Sequence, residues 1–321
     1  MPIIPSKYNP PLLFKNGHFA TIYSGLIRKV ENVSQERERL HLPDGDFMDI
    51  DWSYSSKKPE RLAIILHGLE GNAKRPYVLG AVKAFCENGL DVAAINFRSC
   101  SGTINKLYRS YHSGVSEDLE AIINHILKTR GYSHIIIKGF SLGGNVTLKY
   151  LGAHKNIPKE IKAGIAISVP CYLYGSMLQL HTFKNTLYNK KFKRDLLYKL
   201  NMKQQLFPNK IVKSDIQKIK TLKDFDDVYT SKAHGFENAL DYYETASSLP
   251  FLPNIKIPTL ILNAKNDSFL SEECFPTKIA GQNKSLYLEI PKYGGHVGFY
   301  DKKNVYYNEK RTIEFINSLK I

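Results

Sequence analysis

The sequence predicts an α/β fold, in which helices flank a mostly parallel central sheet and one long insertion forms a helical cap. Short, continuous apolar runs recur along the chain, as expected of strands that are buried on both faces. Windows with helical periodicity separate these runs. A single gap between two of the runs is far longer than one crossover helix needs.

The first predicted element is a hairpin in residues 38–54, where two alternating segments flank Asp44-Gly45. The apolar runs that follow are predicted strands at 61–68, 91–97, 134–140, 163–168, 258–264 and 285–290. Helices are predicted between the strands at 76–88, 115–129 and 142–153, and an amphipathic helix is predicted at 308–320. This alternation indicates parallel strands with right-handed crossovers, preceded by an antiparallel pair.

The long gap lies between the strand that ends near Ser168 and the strand that begins near Pro258. It is rich in Tyr, Leu, Phe and Lys, and this composition favours helices that cover another part of the molecule. We therefore expect one domain over residues 1–321. Within it we expect an N-terminal arm at about 1–35 and a helical cap insertion at about 170–250.

The composition indicates a soluble globular protein, with 43% hydrophobic and 23% charged residues. The first residues are interrupted by prolines and lack the apolar stretch of a secretory signal, and no later window is long enough for a membrane span, so a cytoplasmic location is expected. The four cysteines are scattered without a CxxC pair. We therefore expect reduced thiols, no zinc site and no disulfide framework.

The formal charge of +15 raises the question of an anionic partner. The densest basic stretch, residues 189–210, alternates lysines with apolar residues as an amphipathic helix does. A solvated helical face is the favoured interpretation, and a weak contact with a membrane surface or another anionic partner is the alternative. We expect no nucleic-acid partner and infer no obligate protein partner.

A serine between glycines marks the candidate nucleophile. Ser141, in the sequence GFSLG, follows a predicted buried strand and precedes a predicted helix, with Gly139 and Gly143 two residues away on either side. The G-x-S-x-G turn requires this context, because its serine adopts a strained positive φ and its flanking residues crowd each other unless they are small. The alternative is a serine that only caps the helix.

Two later loops contain the candidate acid and base. Asp267 follows the strand at 258–264, and His296 lies in a glycine-rich loop after the strand at 285–290. Loops after parallel strands emerge at one edge of the sheet, so these residues should lie near Ser141. Asp267 would orient and stabilise the imidazole, and His296 would act as general base and then general acid. The alternatives are an Asx-turn residue for Asp267 and an idle loop residue for His296.

The candidate oxyanion hole combines two backbone amides. One N–H should come from Leu142, directly after the nucleophile, and the other from Leu69 in the loop LHGLEGN after an early strand. His67 of this loop is interpreted as a structural residue, with general base as the weaker alternative.

The chain resembles the YheT-like branch of the α/β-hydrolases, which also includes ABHD-type lipases of eukaryotes. The residues that match are found along nearly the whole chain: NGHFATIYSGLIR (16–28), LPDGDFMDIDW (42–52), HGLEGN (67–72), NFRSCSG (96–102), YHSG (111–114), GFSLGGN (139–145), ALDYY (239–243) and GGHVGF (294–299). The resemblance implies the α/β-hydrolase fold, a triad of Ser141, Asp267 and His296, and hydrolysis of short- to medium-chain acyl esters, in some members with acyl transfer to an alcohol.

One position departs from the family pattern. Ser99 stands where the family usually has glycine, and it would strain or reshape the loop if that glycine serves a turn with positive φ. The neighbouring Arg98, Tyr111 and His112 either support the wall of the site or only pack the loop.

These observations predict a serine esterase that acts on a small-molecule acyl ester and needs no metal or cofactor. The apolar and aromatic cap should line the acyl pocket, and its lysines should lie on the outer face. An acyltransferase that uses the same triad is one alternative. A catalytically idle binder of lipids or anionic surfaces is the other.

Overall fold

A computed structural model describes residues 3–56 and 60–320 and confirms the predicted mostly parallel sheet flanked by helices. The nine-stranded sheet has the order β1-β9-β8-β7-β6-β4-β5-β3-β2. Its strands are β1 Ile3–Ile4, β2 Glu36–His41, β3 Phe47–Ser53, β4 Arg61–Leu66, β5 Asp91–Asn96, β6 His134–Phe140, β7 Ile161–Ile167, β8 Thr259–Leu262 and β9 Leu286–Glu289. A separate antiparallel pair consists of β10 Tyr300–Lys302 and β11 Val305–Tyr306.

Pairing within the sheet follows the predicted pattern. Strands β2 and β3 form the expected antiparallel hairpin, and β3 joins the rest of the sheet antiparallel to β5. The pairs from β5 through β4, β6, β7, β8 and β9 to β1 are all parallel. The carboxyl ends of β4, β6, β8 and β9 therefore meet at one edge of the sheet.

Helices cover both faces of the sheet. Outside the long insertion they are α1 Gly17–Ile22, α2 Pro76–Glu87, α3 Ser116–Thr129, α4 Leu142–Ala153, α11 Thr277–Gln282 and α12 Tyr307–Ser318. Pro76 occupies the first turn of α2, where its missing N–H costs no helical hydrogen bond. A π-helical turn at Tyr23–Ile27 extends α1, and 3₁₀ turns lie at Leu12–Lys15 and Glu272–Cys274. A further 3₁₀ turn, Leu249–Asn254, belongs to the long insertion.

Strand β4 shows how the core is divided. Leu62, Ile64 and Leu66 pack into the apolar cluster beneath α3 and α4. Ala63 and Ile65 face the opposite cluster, beneath α2 and α12. Side chains alternate across a strand, so a strand buried on both faces must be apolar throughout, as the sequence pattern indicated.

The insertion, defined here as the segment between β7 and β8, is mostly helical. Its helices are α5 Leu173–Leu180, α6 Thr186–Leu206, α7 Lys213–Lys218, α8 Leu222–Phe225, α9 Ser231–His234 and α10 Ala239–Ala246, with a 3₁₀ turn at Phe183–Asn185 and a π-helical turn at Asp226–Thr230. Asn238 caps α10, because its side chain accepts hydrogen bonds from the Leu240 and Asp241 amides. Two small apolar clusters of its own stabilise the insertion.

The sequence also makes predictions about domain boundaries and membrane spans. The predicted boundaries of the arm and the cap stay predictions, and residues 1, 2, 57–59 and 321 of the expected domain lie outside the described part. Within residues 3–56 and 60–320, every helix is too short or too polar to cross a membrane.

Candidate active site

Ser141 occupies a sharp turn between β6 and α4. Its backbone has φ +51° and ψ −118°, a conformation that is strained for a residue with a side chain. A Cβ atom on Gly139 would lie 2.1 Å from the Gly143 carbonyl oxygen, and one on Gly143 would lie 2.5 Å from the Leu66 carbonyl oxygen. The tight turn therefore needs glycine at both flanking positions, and it presents the serine at the N-terminus of α4.

Asp267 and His296 form a buried pair at the same edge of the sheet. His296 Nδ1 lies 2.8 Å from Asp267 Oδ2, and the other carboxylate oxygen accepts a hydrogen bond from the Phe269 amide at 2.9 Å. The Phe269 ring packs against the imidazole, with ring centroids 4.3 Å apart. Since Nδ1 faces a carboxylate, it carries the proton, and Nε2 is left as the basic nitrogen.

Ser141 and His296 line the same cavity, which has a volume of about 260 Å³. Neither the Ser141 hydroxyl nor His296 Nε2 forms a hydrogen bond within the part of the chain that the structure describes. The hydrogen bond between a catalytic serine and its histidine is often long before substrate binds. The cavity walls are mainly apolar and come largely from the insertion, from α1 with its π-helical turn, and from the loop after β8. They include Ile22, Leu26, Leu173, Met177, Leu180, Phe192, Leu196, Leu222, Phe225 and Phe269.

The two candidate oxyanion amides border this cavity. Leu142 begins α4, where the first N–H groups have no partner inside the helix. Leu69 lies in the loop after β4, and its N–H donates no hydrogen bond to any of the described residues. Gly68 lies close to Ser141, because a Cβ placed on it would be 3.1 Å from Ser141 Cβ.

His67 is enclosed beneath the same loop. Its Nδ1 lies 2.7 Å from the Gly68 carbonyl oxygen and must donate there, while Nε2 accepts the Phe97 amide at 3.2 Å. Burial lowers the pKa of this histidine to about 3, so the ring is neutral at physiological pH. These contacts favour the structural role over that of general base.

The position that departs from the family pattern has a positive φ. Ser99 has φ +62°, and its amide donates to Asn105 Oδ1. Its hydroxyl accepts the Asn105 amide at 3.1 Å. The serine therefore adopts the left-handed conformation that glycine would adopt, and the Asn105 contacts stabilise it there.

Arg98 and His112 lie in different surroundings. Arg98 is buried in an ion-pair cluster with Asp118 at 2.7 Å and Asp44 at 2.8 Å. The cluster connects the turn between β2 and β3 to the loop after β5. This arrangement corresponds to the packing alternative. His112 lines the cavity and contacts the His234 and Tyr242 rings, and burial lowers its pKa well below the ordinary value.

Two residues that support the histidine loop were missed from the sequence. The His296 amide donates to Thr21 Oγ1 at 2.8 Å, and the Val297 amide donates to Ser168 Oγ at 2.9 Å. Thr21 belongs to the matching stretch at 16–28, to which no role was assigned. Ser168 has φ +52° at the end of β7, and this was not visible in its sequence.

The expectation that all cap lysines face outward is wrong. Lys191, Lys199 and Lys203 of α6 line the cavity, and Lys203 is only 2% exposed. Lys203 donates to the carbonyl oxygens of Asn105 at 3.0 Å and Leu107, which compensates its charge. The other two inward lysines form ion pairs. Lys191 pairs with Asp195, one helical turn away, and Lys199 pairs with Glu70, which is distant in sequence.

The structure contains only thiols at its cysteines, since all four are free. Among residues 3–56 and 60–320, no group of three or more His, Cys, Asp or Glu side chains is arranged to hold a metal ion.

Comparison with known proteins shows similarity along most of the chain. A family model described as the alpha/beta hydrolase fold matches residues 63–303. The chain is 30% identical over 298 residues to YheT of Escherichia coli K12, a protein named as an esterase, with 92% of this chain and 87% of that protein covered. It is 27% identical to human phospholipase ABHD3, over 93% of this chain and 75% of that protein, and 23% identical to human monoacylglycerol lipase ABHD2, over 99% and 81%.

Solved structures share the fold at low sequence identity. The Pyrococcus furiosus esterase Pf2001 has a TM-score of 0.60 at 16% identity, with 97% of both chains covered. The α/β-hydrolase GrgF from a Penicillium species also has a TM-score of 0.60 at 16% identity, with 88% of this chain and 98% of that chain covered.

Proposed function

Because the chain belongs to the α/β-hydrolase family, within its YheT-like branch of ester-bond hydrolases, we propose that it is a serine carboxylic-ester hydrolase for short- to medium-chain acyl groups. The proposed catalytic residues are Ser141, Asp267 and His296, and the proposed oxyanion donors are the Leu69 and Leu142 amides. A cytoplasmic location, expected from the sequence, is part of the proposal.

One observation carries this proposal. A serine on a strained strand-to-helix turn lines the same mainly apolar cavity as an imidazole that a buried carboxylate orients at 2.8 Å. An idle binding protein has no need of this combination, since the strained turn and the buried carboxylate both lower stability.

The proposed reaction has two halves. Ser141 Oγ attacks the acyl carbonyl while His296 Nε2 takes its proton, and the negative oxygen is held by the Leu69 and Leu142 amides. The imidazolium, stabilised by Asp267, then protonates the departing alcohol and leaves an acyl-enzyme. Water, deprotonated by His296, attacks this intermediate and releases the acid.

The walls of the cavity favour neutral, lipid-like esters. Its apolar side chains suit an acyl chain, and relatives named phospholipase and monoacylglycerol lipase make glycerolipid esters candidate substrates. An alcohol that replaced water in the second half would give an acyltransferase. Product analysis with added alcohol separates these outcomes, because transfer yields a new ester and hydrolysis yields only the acid.

The direct test is covalent labelling of the nucleophile. We expect a fluorophosphonate to label the wild-type protein and to abolish its hydrolysis of soluble butyrate esters. Ser141→Ala should fold normally, remain unlabelled and lose several orders of magnitude in turnover. Residual turnover above about a tenth of wild type would remove Ser141 from the mechanism.

The surroundings of the cavity favour one additional role, a peripheral contact with an anionic lipid surface. The rim of the cavity is defined here by Ile22 and Leu26, which line it and are partly exposed. The neighbouring Leu12, Phe183 and Leu187 are among the most exposed apolar side chains. Residues 12–29 and 183–194 meet where His18 Nδ1 lies 3.3 Å from the Tyr188 hydroxyl. Residues 12–29 and 183–194 contain no acidic residue, and the second segment carries five cations, of which Lys184, Lys190 and Lys193 form no ion pair among the described residues, while Lys191 and Arg194 pair with Asp195. An apolar rim with basic neighbours matches the chemistry of such a surface.

Vesicle sedimentation tests this contact. The protein should bind phosphatidylglycerol vesicles in preference to phosphatidylcholine vesicles, and binding should weaken as salt rises. Phe183→Ser with Leu187→Ser should reduce binding, whereas Leu240→Ser, an exposed apolar position on α10, should not. Equal binding by all variants would rule out the rim as the contact.

A further inference from the structure

The loop after β4 holds most of its amides in hydrogen bonds, but not that of Leu69. The Gly68 amide donates to the Tyr77 hydroxyl at 3.1 Å, and the Glu70 amide donates to the Tyr111 hydroxyl at 2.9 Å. Leu69 lies between them, and its amide is without a partner among the described residues. The direction of this proposed oxyanion donor therefore depends on the shape of the loop around it.

Glu70, the next residue, has a disfavoured backbone conformation. Its φ is +53°, in the left-handed region that residues with side chains rarely adopt. Relaxation of this torsion would re-orient the turn that carries the Leu69 amide. Such a conformation persists only where surrounding contacts hold it.

Those contacts converge on Glu70 from three directions. The Tyr111 hydroxyl donates to Glu70 Oε1 at 2.7 Å, and Arg75 donates to the Glu70 carbonyl oxygen at 2.8 Å. Lys199 Nζ lies 3.0 Å from Oε1 and 2.9 Å from Oε2. Burial and the charge of Glu70 raise the pKa of Tyr111 well above its ordinary value, so its hydroxyl remains a neutral donor.

Lys199 comes from a different part of the fold than the other two partners of Glu70. It belongs to α6 of the insertion, whereas Tyr111 and Arg75 belong to loops and helices around the sheet. Glu70 is 7% exposed, and a carboxylate so buried strongly requires its cationic partner. The ion pair is thus a direct polar link between the insertion and the residue that follows the proposed oxyanion donor.

We propose that Lys199 is a positioning residue for the oxyanion hole, which it acts on by fixing Glu70 and thereby the direction of the Leu69 amide. The oxyanion hole is then complete only when α6 is docked. This inference rests on the proposed esterase function and adds to it a residue from the insertion that contacts neither the triad nor the oxyanion.

A residue that merely anchors the insertion would behave differently. Loosening the acyl pocket should raise KM, and should do so more for long acyl chains than for short ones, because long chains have more contacts to lose. Misplacing an oxyanion donor weakens binding of the transition state, so kcat should fall equally for every acyl length. Acetate and hexanoate esters therefore separate the two roles.

The test compares kcat and KM for both esters in Lys199→Met and Glu70→Gln. We expect kcat to fall by about tenfold to a hundredfold for acetate and hexanoate alike, with much smaller changes in KM. Lys199→Arg should recover most of the loss, since it restores a cation opposite Glu70. Lys213→Met is the control within the insertion, because Lys213 is an exposed lysine at the start of α7 and should keep wild-type kinetics.

A double variant guards against misfolding. Lys199→Met alone leaves a buried carboxylate unpaired, whereas Lys199→Met with Glu70→Gln removes both charges and should unfold at a temperature closer to that of wild type. We expect its kcat to be as low as that of the worse single variant, because the two residues act through one interaction. A double variant that keeps wild-type kcat on acetate, or a loss confined to hexanoate, would overturn the inference. Wild-type protein that hydrolyses no ester and resists the fluorophosphonate would instead refute the proposed function.

Discussion

At the scale of single residues, the best-defined contact in the candidate site is that between Asp267 and His296. Asp267 is fully engaged, since one oxygen faces His296 Nδ1 and the other accepts the Phe269 amide. Its exposed fraction is 4%, so water cannot replace it as a partner of the imidazole. The carboxylate thereby sets both the tautomer and the orientation of the proposed base.

Replacing that carboxylate should affect turnover more than folding. We expect Asp267→Asn to lower kcat by about 10⁴-fold, because the amide favours the wrong tautomer, and His296→Ala to lower it further, by about 10⁶-fold. Initial rates with a butyrate ester measure both effects. Near-normal turnover in Asp267→Asn would mean that another acid serves. The end of β7 offers no substitute, since residues 168–172 include no Asp or Glu.

At the scale of elements, the turn from β6 to α4 is limited by backbone contacts. The two glycines around Ser141 let the strand, the helix and the loop after β4 approach within distances that any side chain would prevent. Leu142, the first residue of the following helix, lines the cavity. The turn therefore determines at once where the proposed nucleophile and one proposed oxyanion donor lie.

Gly139→Ala should distort this turn. The added methyl group would lie 2.1 Å from the Gly143 carbonyl oxygen, so we expect the free energy of unfolding to fall by about 1–3 kcal/mol and turnover to fall severely. Urea denaturation and initial rates measure the two effects. Gly281→Ala in α11 is the control, since its methyl group meets nothing within 4 Å and should raise stability by up to ~1 kcal/mol. Unchanged stability and turnover in Gly139→Ala would contradict the proposed geometry.

The insertion should determine acyl-chain preference. Each buried methylene contributes about 0.8 kcal/mol, so kcat/KM should rise about threefold to fourfold per carbon from acetate toward butyrate or hexanoate and then fall once the cavity is full. Soluble neutral esters should show weak salt dependence, because the inward lysines are already paired within the protein. A flat profile with steep salt dependence would favour the anionic-surface role over an acyl pocket.

At the scale of the whole molecule, a buried lysine lies between the sheet and its last helix. Lys138 of β6 donates to Thr312 Oγ1 at 2.9 Å and to the Asn308 carbonyl oxygen at 3.3 Å, both on α12. Burial lowers its pKa to about 7. The unfolded chain, with an ordinary lysine pKa near 10.4, therefore binds more protons than the folded chain between about pH 7 and pH 10.

This difference makes stability depend on pH with a definite sign. The contribution of Lys138 is greatest above the unfolded pKa and is lost as pH falls toward 7. Between pH 7 and pH 9 the free energy of unfolding of wild type should therefore rise by about 2 kcal/mol relative to Lys138→Met. Urea denaturation at both pH values measures it. The exposed Lys128→Met is the control and should track wild type, and a constant difference for Lys138→Met would refute the assignment.

Prediction from sequence succeeded where the physical cause is local. The bounds of β6 and α4 were predicted to the residue, because a continuous apolar run and a glycine-flanked turn need only neighbouring residues to be interpretable. The strand predicted at 61–68 ends instead at Leu66, since His67 already bonds to the loop. The sequence raised a positive φ at Ser99 only as a condition, and it did not indicate Asn105, whose contacts stabilise that conformation.

The amino-acid sequence by itself therefore determined the order of strands and helices, the elbow around Ser141 and the loops that carry Asp267 and His296. Only the tertiary structure decided that Lys199 and Lys203 turn inward, and that Thr21 and Ser168 support the histidine loop. The reason is that a charged or polar side chain is buried only where a partner compensates its lost hydration. For Lys199 that partner is Glu70, 129 residues away along the chain, and folding alone brings the two together.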